Sequence, residues 1–326
     1  MQPEWSPRIG WAELPGHVRA GIERVLGSPV VEAMGQRGGF SPGTADRVLT
    51  AAGRRAFVKA VSPQLNEHSP GIHRKEAAVA AALPAGLPAP TLIGTYDDGE
   101  WVALVLSDVE GRHPHTPWNA VEVHLVLDAL LAIAGTPLPP ELTRLPPLQT
   151  ELADPFGGWT RIRRNPPEDC APWILQNLDT LEDLAEQGLK DVAGASLAHT
   201  DVRADNIIIT ATNGAVLVDW PWAAIGAPWV DALTVLINVR VFDPAFDTDA
   251  FLHSHSVFTT ANAANVDGFL AGLAGYFTDA ARQPPPPGLP SLRSFQQQQG
   301  EAVIHWLRER LSAPGSTLTA DAPPVG

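Results

Sequence analysis

A single cysteine, Cys170, in 326 residues rules out an internal disulfide and a cysteine-based zinc site. No apolar run approaches the roughly 18 residues needed to span a bilayer, and no internal repeat is present. The opening MQPEWSPRIGW has neither a basic region nor an apolar core, so no secretory signal is expected and a cytoplasmic location is. Residues 243–255, DPAFDTDAFLHSH, gather three aspartates and two histidines, but without H-E-x-x-H or a comparable ligand spacing. Positive charge is scarce: 22 Lys and Arg stand against 36 Asp and Glu, for a net charge of -14. Neither nucleic acid nor a membrane is therefore expected as a partner.

The deficit is uneven. Residues 1–106 hold 10 basic and 10 acidic side chains, whereas residues 107–326 hold 12 and 26. A cationic small molecule fits that asymmetry, and so does an acidic surface that only maintains solubility. With 44% hydrophobic residues, the chain is a globular protein long enough for one large two-part core or two smaller ones.

The most informative stretch is 197–220, LAHTDVRADNIIITATNGAVLVDW. It presents His199, Asp201 and Asn206, then two runs rich in β-branched residues on either side of Thr212-Asn213-Gly214. An Asn-Gly pair between such runs predicts a hairpin, and the second run delivers Asp219. Two carboxylates and a carboxamide at the mouth of one hairpin can hold a divalent cation beside a general base. Taken alone, Asp201, Asp205 and Asn206 could equally be turn and cap residues.

The spacing His199-x-Asp201-x-x-x-x-Asn206, followed by a strand that ends in Asp219, resembles the catalytic loop and metal-binding Asp of kinase-like phosphotransferases. Thr200 and the pair Trp220-Pro221 depart from the protein-kinase pattern and look like the aminoglycoside phosphotransferase branch, the small-molecule kinases. Upstream features arrive in the matching order. Gly38, Gly39, Ser41 and Gly43 resemble that branch's glycine loop, whose backbone N–H groups approach phosphate. Lys59 is the one charge in the apolar strand 56–61 and needs a partner if buried. Glu76, in the alanine-rich helical stretch 73–83, is the candidate partner.

The resemblance covers about residues 11–311 and implies an α+β, bilobal protein-kinase-like fold. Residues 1–106 would form a nucleotide-binding lobe with an antiparallel sheet. Residues 107–111 would be a hinge, and 112–311 a larger, mainly helical catalytic and acceptor-binding lobe. Residues 312–326, rich in Pro, Gly, Ser and Thr, are expected to be disordered. The implied activity is Mg²⁺-dependent transfer of the γ-phosphoryl of ATP, or GTP, to a hydroxyl of a small molecule. Asp201 would accept the hydroxyl proton, and Asn206 and Asp219 would hold Mg²⁺. Lys59, braced by Glu76, would contact the phosphates, and the backbone of Ser107, Asp108 and Val109 would meet the base. His199 and Asp231 would be braces. The acceptor is expected to be an antibiotic, with a choline-, homoserine- or sugar-like alcohol as the alternative. A nucleotide-binding pseudoenzyme is the reading from another class, but Lys59, Asp201, Asn206 and Asp219 are all present.

Elsewhere hydrophobic spacing predicts helices over 11–26, from Asn119 toward Ile133 with Val121, Leu125 and Ala129 inward, and over 173–187, 266–282 and 292–311. Strands are expected at 91–96 and 101–106 around Asp97-Asp98-Gly99. Trp220, Trp222 and Trp229 are expected in packing rather than against a substrate.

Overall fold

The structure, a computed structural model, describes residues 8–36, 42–168, 170–286 and 289–312. Gly38, Gly39 and Ser41, and the tail beyond residue 312, fall outside this set. By contacts the chain divides into two compact units, each assembled from separated segments. The first takes residues 1–115, 119–145 and 199–223. The second takes 116–118, 146–198 and 224–326.

The first unit is built on a five-stranded antiparallel sheet of β1 (Val30–Gly35), β2 (Thr44–Thr50), β3 (Arg55–Val61), β4 (Leu92–Asp97) and β5 (Val102–Ser107), in the order β1-β2-β3-β5-β4. Side chains alternate across a strand, and both faces of this sheet are used. Ala56, Val58, Ala60, Ala103 and Val105 pack against Val18, Ile22 and Leu26 of helix α1 (Gly16–Leu26). Burial of each large apolar side chain in that layer contributes about 1.5–3 kcal/mol. Gly27 ends α1 with φ 77°, a left-handed cap that its lack of a Cβ allows. On the opposite face Phe57, Leu104 and Leu106 meet Ala77 and Ala80 of α2 (Ser69–Ala82). Lys59 has the same parity as Phe57, which directs it to this second face.

A helix and a three-stranded ribbon are added to this sheet in the first unit. Helix α3 (Ala120–Ala134) is capped by Asn119, whose side chain accepts the Glu122 N–H at 3.0 Å. Its buried face is Val123, Val126, Leu127, Leu130 and Ile133, and Val121 is 70% exposed. Of the residues expected inward, Ala129 is buried, Leu125 is half-buried and Val121 turns out. Glu122 is itself buried, because its carboxylate binds Arg112 and the backbone N–H of His115. A small ribbon, β6 (Gly111–Arg112), β8 (Ile207–Thr210) and β9 (Ala215–Leu217), carries the Asn-Gly hairpin. Asn213 rather than Gly214 takes the left-handed conformation (φ 55°).

The second unit is helical apart from a short ribbon of β7 (Ser196–Ala198) with β10 (Ala224–Gly226). Its helices are α4 (Leu148–Leu152), α5 (Gly158–Arg164), α6 (Pro172–Gln176), α7 (Leu178–Asp191), α8 (Val230–Phe242), α9 (Asp249–Ser254), α10 (Ala263–Ala281) and α11 (Leu292–Leu311). The single helix expected over 173–187 breaks at Asn177 into α6 and α7, although Ile174, Leu178, Leu181 and Ala185 are buried as expected. At the crossing of α7 and α10, Gly188 meets Gly268 so closely that a Cβ on Gly188 would lie 2.3 Å from the Gly268 backbone. Among the described residues no helix is long and apolar enough to cross a membrane. The architecture is α+β, an antiparallel sheet unit and a helical unit.

Candidate active site

The candidate site lies wholly within the first unit. Lys59, Ser107, Asp108, Val109, Asn206 and Asp219 line one cavity of about 230 Å³, together with Arg8, Arg47 and Arg112. Glu76 stands behind Lys59, and Asp201 behind Asn206.

Two clusters define its chemistry. In the first, the Lys59 ammonium donates to both Glu76 oxygens, at 2.8 and 2.9 Å, and to Asp219 Oδ1 at 2.9 Å. These three come from β3, α2 and the turn after β9, with Lys59 and Asp219 160 residues apart in sequence. Burial would depress the Lys59 pKa, but Asp219 and Glu76 outweigh it and hold the ammonium above its usual range. Burial raises Glu76, and Lys59 opposes that rise. Burial also acts to raise Asp219, yet Lys59 brings it down to about 2. The Asp219 side chain keeps 41% exposure, so one face of it remains open. Its φ of 71° is a left-handed conformation that costs a non-glycine residue of order 1–3 kcal/mol.

In the second cluster, Asp201 accepts from Arg203 Nη1 at 2.8 Å and from Asn206 Nδ2 at 3.0 Å. Arg203 binds Asp205 with its other two nitrogens, both at 3.0 Å. Burial raises Asp201 to about 6; Arg203 pulls it down, while Asp219 and Asp205 push it up. Asn206 directs its NH₂ at Asp201, so its carboxamide oxygen is left for another partner. His199 braces the loop. Its Nε2 meets Val218 O at 3.0 Å, its Nδ1 accepts the Asp201 N–H at 3.3 Å, and burial lowers its pKa to about 4. Thr200, between them, has φ 68° and donates its hydroxyl to Trp222 O at 2.8 Å. A β-branched residue in that region is a strained position.

The remaining predicted residues have particular surroundings. Asp108 is nearly buried because Arg47 and Arg55 grip its carboxylate at 2.7–2.9 Å. Only its backbone is then available to a ligand. Gly43 does not line the cavity; a Cβ there would lie 2.2 Å from Ala60 O, so strand packing alone demands glycine. Asp231 is buried in α8. Trp220 and Trp229 are core residues, whereas Trp222 is 47% exposed beneath the Lys75 ammonium. In 243–255, Asp249 binds Arg310 and Trp306, and Asp243 and Asp247 accept nearby backbone N–H groups. Reading the sequence overlooked Arg203, Arg47 and Arg8. Arg203 had a signal, as a lone cation between Asp201 and Asp205.

The model of the phosphotransferase enzyme family, APH, matches residues 37–265. The chain belongs to this family. A small-molecule phosphotransferase is therefore the enzyme class of this protein. No curated protein matches its sequence. Solved structures show the same fold at low identity. An aminoglycoside phosphotransferase from Alicyclobacillus acidocaldarius subsp. acidocaldarius shares 14% identity at a TM-score of 0.57, over 89% of this chain and 96% of that one. A thermostable mutant of aminoglycoside phosphotransferase APH(4)-Ia, in ternary complex with AMP-PNP and hygromycin B, shares 15% at 0.58, over 93% and 100%. Choline kinase LicA from Streptococcus pneumoniae shares 15% at 0.55, over 91% and 98%.

Proposed function

We propose that this phosphotransferase moves the γ-phosphoryl group of ATP, or GTP, to a hydroxyl of a small molecule, with Asp201 as general base. One observation carries the reading. Lys59 is held between Glu76 and Asp219 at 2.8–2.9 Å, on the wall of the cavity that Asn206 also lines. Phosphoryl transfer needs positioning and charge neutralisation more than covalent chemistry, and a fixed cation beside open oxygen donors supplies both. Ser107, Asp108 and Val109 would receive the base through their backbone, since the Asp108 carboxylate is already engaged.

The donor set suits Mg²⁺. Among the described residues neither Asp219 Oδ2 nor the Asn206 carboxamide oxygen makes a hydrogen bond. Both are hard oxygen ligands. Among the described residues no group of three or more His, Cys, Asp or Glu side chains is gathered to hold a metal, so phosphate oxygens and water would complete the shell. When bound, Mg²⁺ supplies charge neutralisation on the transferring phosphate. Asp201, at about 6, is ionised at neutral pH yet basic enough to take a hydroxyl proton. Arg203 and Asn206 fix its two oxygens.

The acceptor reading is a hydroxylated antibiotic, supported by the fold's occurrence in proteins that bind hygromycin B and by the excess of acidic residues after residue 106. The alternative is a choline-like alcohol, supported in the same way by the choline kinase. Both are cationic. The test is a nucleotide-consumption screen across hydroxylated antibiotics and amino alcohols, with mass detection of an added phosphoryl group. A KM that rises with ionic strength at constant kcat is expected, because exposed charges are screened over about 8 Å at physiological salt. A neutral or anionic best substrate would overturn the cationic acceptor and leave the transferase intact.

A further inference from the structure

Arg8 stands where the described chain begins, just before the short turn Trp11–Glu13, and its side chain lines the cavity shared by Lys59, Asn206 and Asp219. The other arginines and the lysine on that wall already have anions. Arg47 holds Asp108 at 2.7 Å, Lys59 holds Glu76 and Asp219, and Arg112 holds Glu122 at 2.5 Å. Arg8 makes no hydrogen bond or ion pair with any described residue, and its Nε is buried without a partner. A stranded donor of this kind costs about 1–3 kcal/mol, and more when it is charged. A guanidinium is a rigid fork of five donors that matches phosphate oxygens in pairs. The charges that act on it are those of Asp219 and Asp46, and burial outweighs both to lower its pKa. His73 of α2 feels the charges of both Arg8 and Lys59.

The segment that carries Arg8 is anchored. Ile9 and Trp11 pack on the layer between α1 and the sheet, the Trp11 N–H stabilises the Asp46 carboxylate, and Gly10 N–H donates to Glu13 at 2.7 Å. A side chain one residue from Ile9 and three from Trp11 is presented to the cavity at small entropic cost.

We propose that Arg8 is a phosphate-binding residue of the donor site, a second cation that grips the polyphosphate of the nucleotide opposite Lys59. This rests on the nucleotide-donor reading. Charge-assisted pairing to phosphate gives a graded expectation for binding that does not depend on turnover. In calorimetric titration of the full chain with Mg²⁺ present, Arg8→Gln should weaken ATP by about tenfold to a hundredfold, ADP by less, and AMP within twofold. Arg8→Lys should recover part of the loss, because a point charge replaces the fork. Thermal melts establish that each variant is folded, and Lys59→Ala serves as the reference for lost phosphate binding. Equal weakening of ATP and AMP, or a lowered melting temperature with ATP binding intact, would mean that Arg8 serves the fold through Asp46, and would overturn the proposal. Wild-type protein that binds neither ATP nor GTP would overturn the donor reading itself, and Arg8's role with it.

Discussion

The two clusters at the cavity share a plan and differ in outcome. Each sets one cation between two carboxylates: Lys59 between Glu76 and Asp219, and Arg203 between Asp201 and Asp205. Asp219 is held at about 2, whereas Asp201 rises to about 6. Both cations make two contacts to one carboxylate and one to the other, so the difference lies in the neighbouring charges. Lys59 and two histidines lower Asp219, whereas the carboxylates of Asp219 and Asp205 add to burial in raising Asp201. One arrangement keeps a carboxylate permanently charged; the other keeps one basic. A phosphotransferase needs both.

The largest expected effect comes from removing the basic member. Asp201→Asn should lower kcat by about 10²–10⁴ while ATP affinity stays near wild type, as steady-state kinetics and calorimetry would show. Near-normal turnover by the folded variant would reassign the base.

Next in size is the charged cluster. Lys59→Ala and Glu76→Ala should each reduce kcat/KM for the nucleotide, roughly tenfold or more. Lys59→Ala strands two carboxylates, and Glu76→Ala lets Lys59 move. Because the pair touches, the double variant should lose less than the product of the single losses, by a coupling of about 0.5–3 kcal/mol. Strict additivity in the cycle would separate them.

The finest comparison is within the Asp201 cluster. Asp201 must be ionised to accept a proton, so kcat should climb with pH through about 6 and then level. Arg203 favours its charged form, and Arg203→Gln should move that limb to higher pH. Asp205 disfavours it, and Asp205→Asn should move the limb slightly lower. Shifts in the same direction from both variants would refute this account of Asp201.

How much of this was legible in the sequence follows from the range of the forces involved. Local signals read well: the end of α1 at Leu26, the start of α3 after Asn119, the bounds of α11, and the hairpin around Asn213. Periodicity failed where burial was decided by a distant partner. Glu122 is drawn inward by Arg112, and Val121, expected on the inner face, is turned out. Asn177 interrupts a pattern whose apolar face runs on without a break. Lys59 and Glu76 were paired by motif order and do meet. No local signal could have joined Arg47 to Asp108 across 61 residues, or placed Arg8 on the cavity wall.

The division of the chain sets a timetable for its synthesis. The first unit draws on residues 199–223, which follow a long stretch, 146–198, that belongs to the second. Strand β8 pairs back to Gly111, and the Leu217 N–H donates to Pro88 O. At roughly 5–20 residues per second, a growing chain that has finished residue 145 waits about 4–16 s before residue 223 is made. Throughout that interval β6 lacks its strand partner and the Lys59 ammonium lacks Asp219. The candidate site is thus incomplete until the ribbon arrives to close both gaps, and an arrested chain ending before residue 199 would contain every strand of the sheet but neither Asp201 nor Asp219.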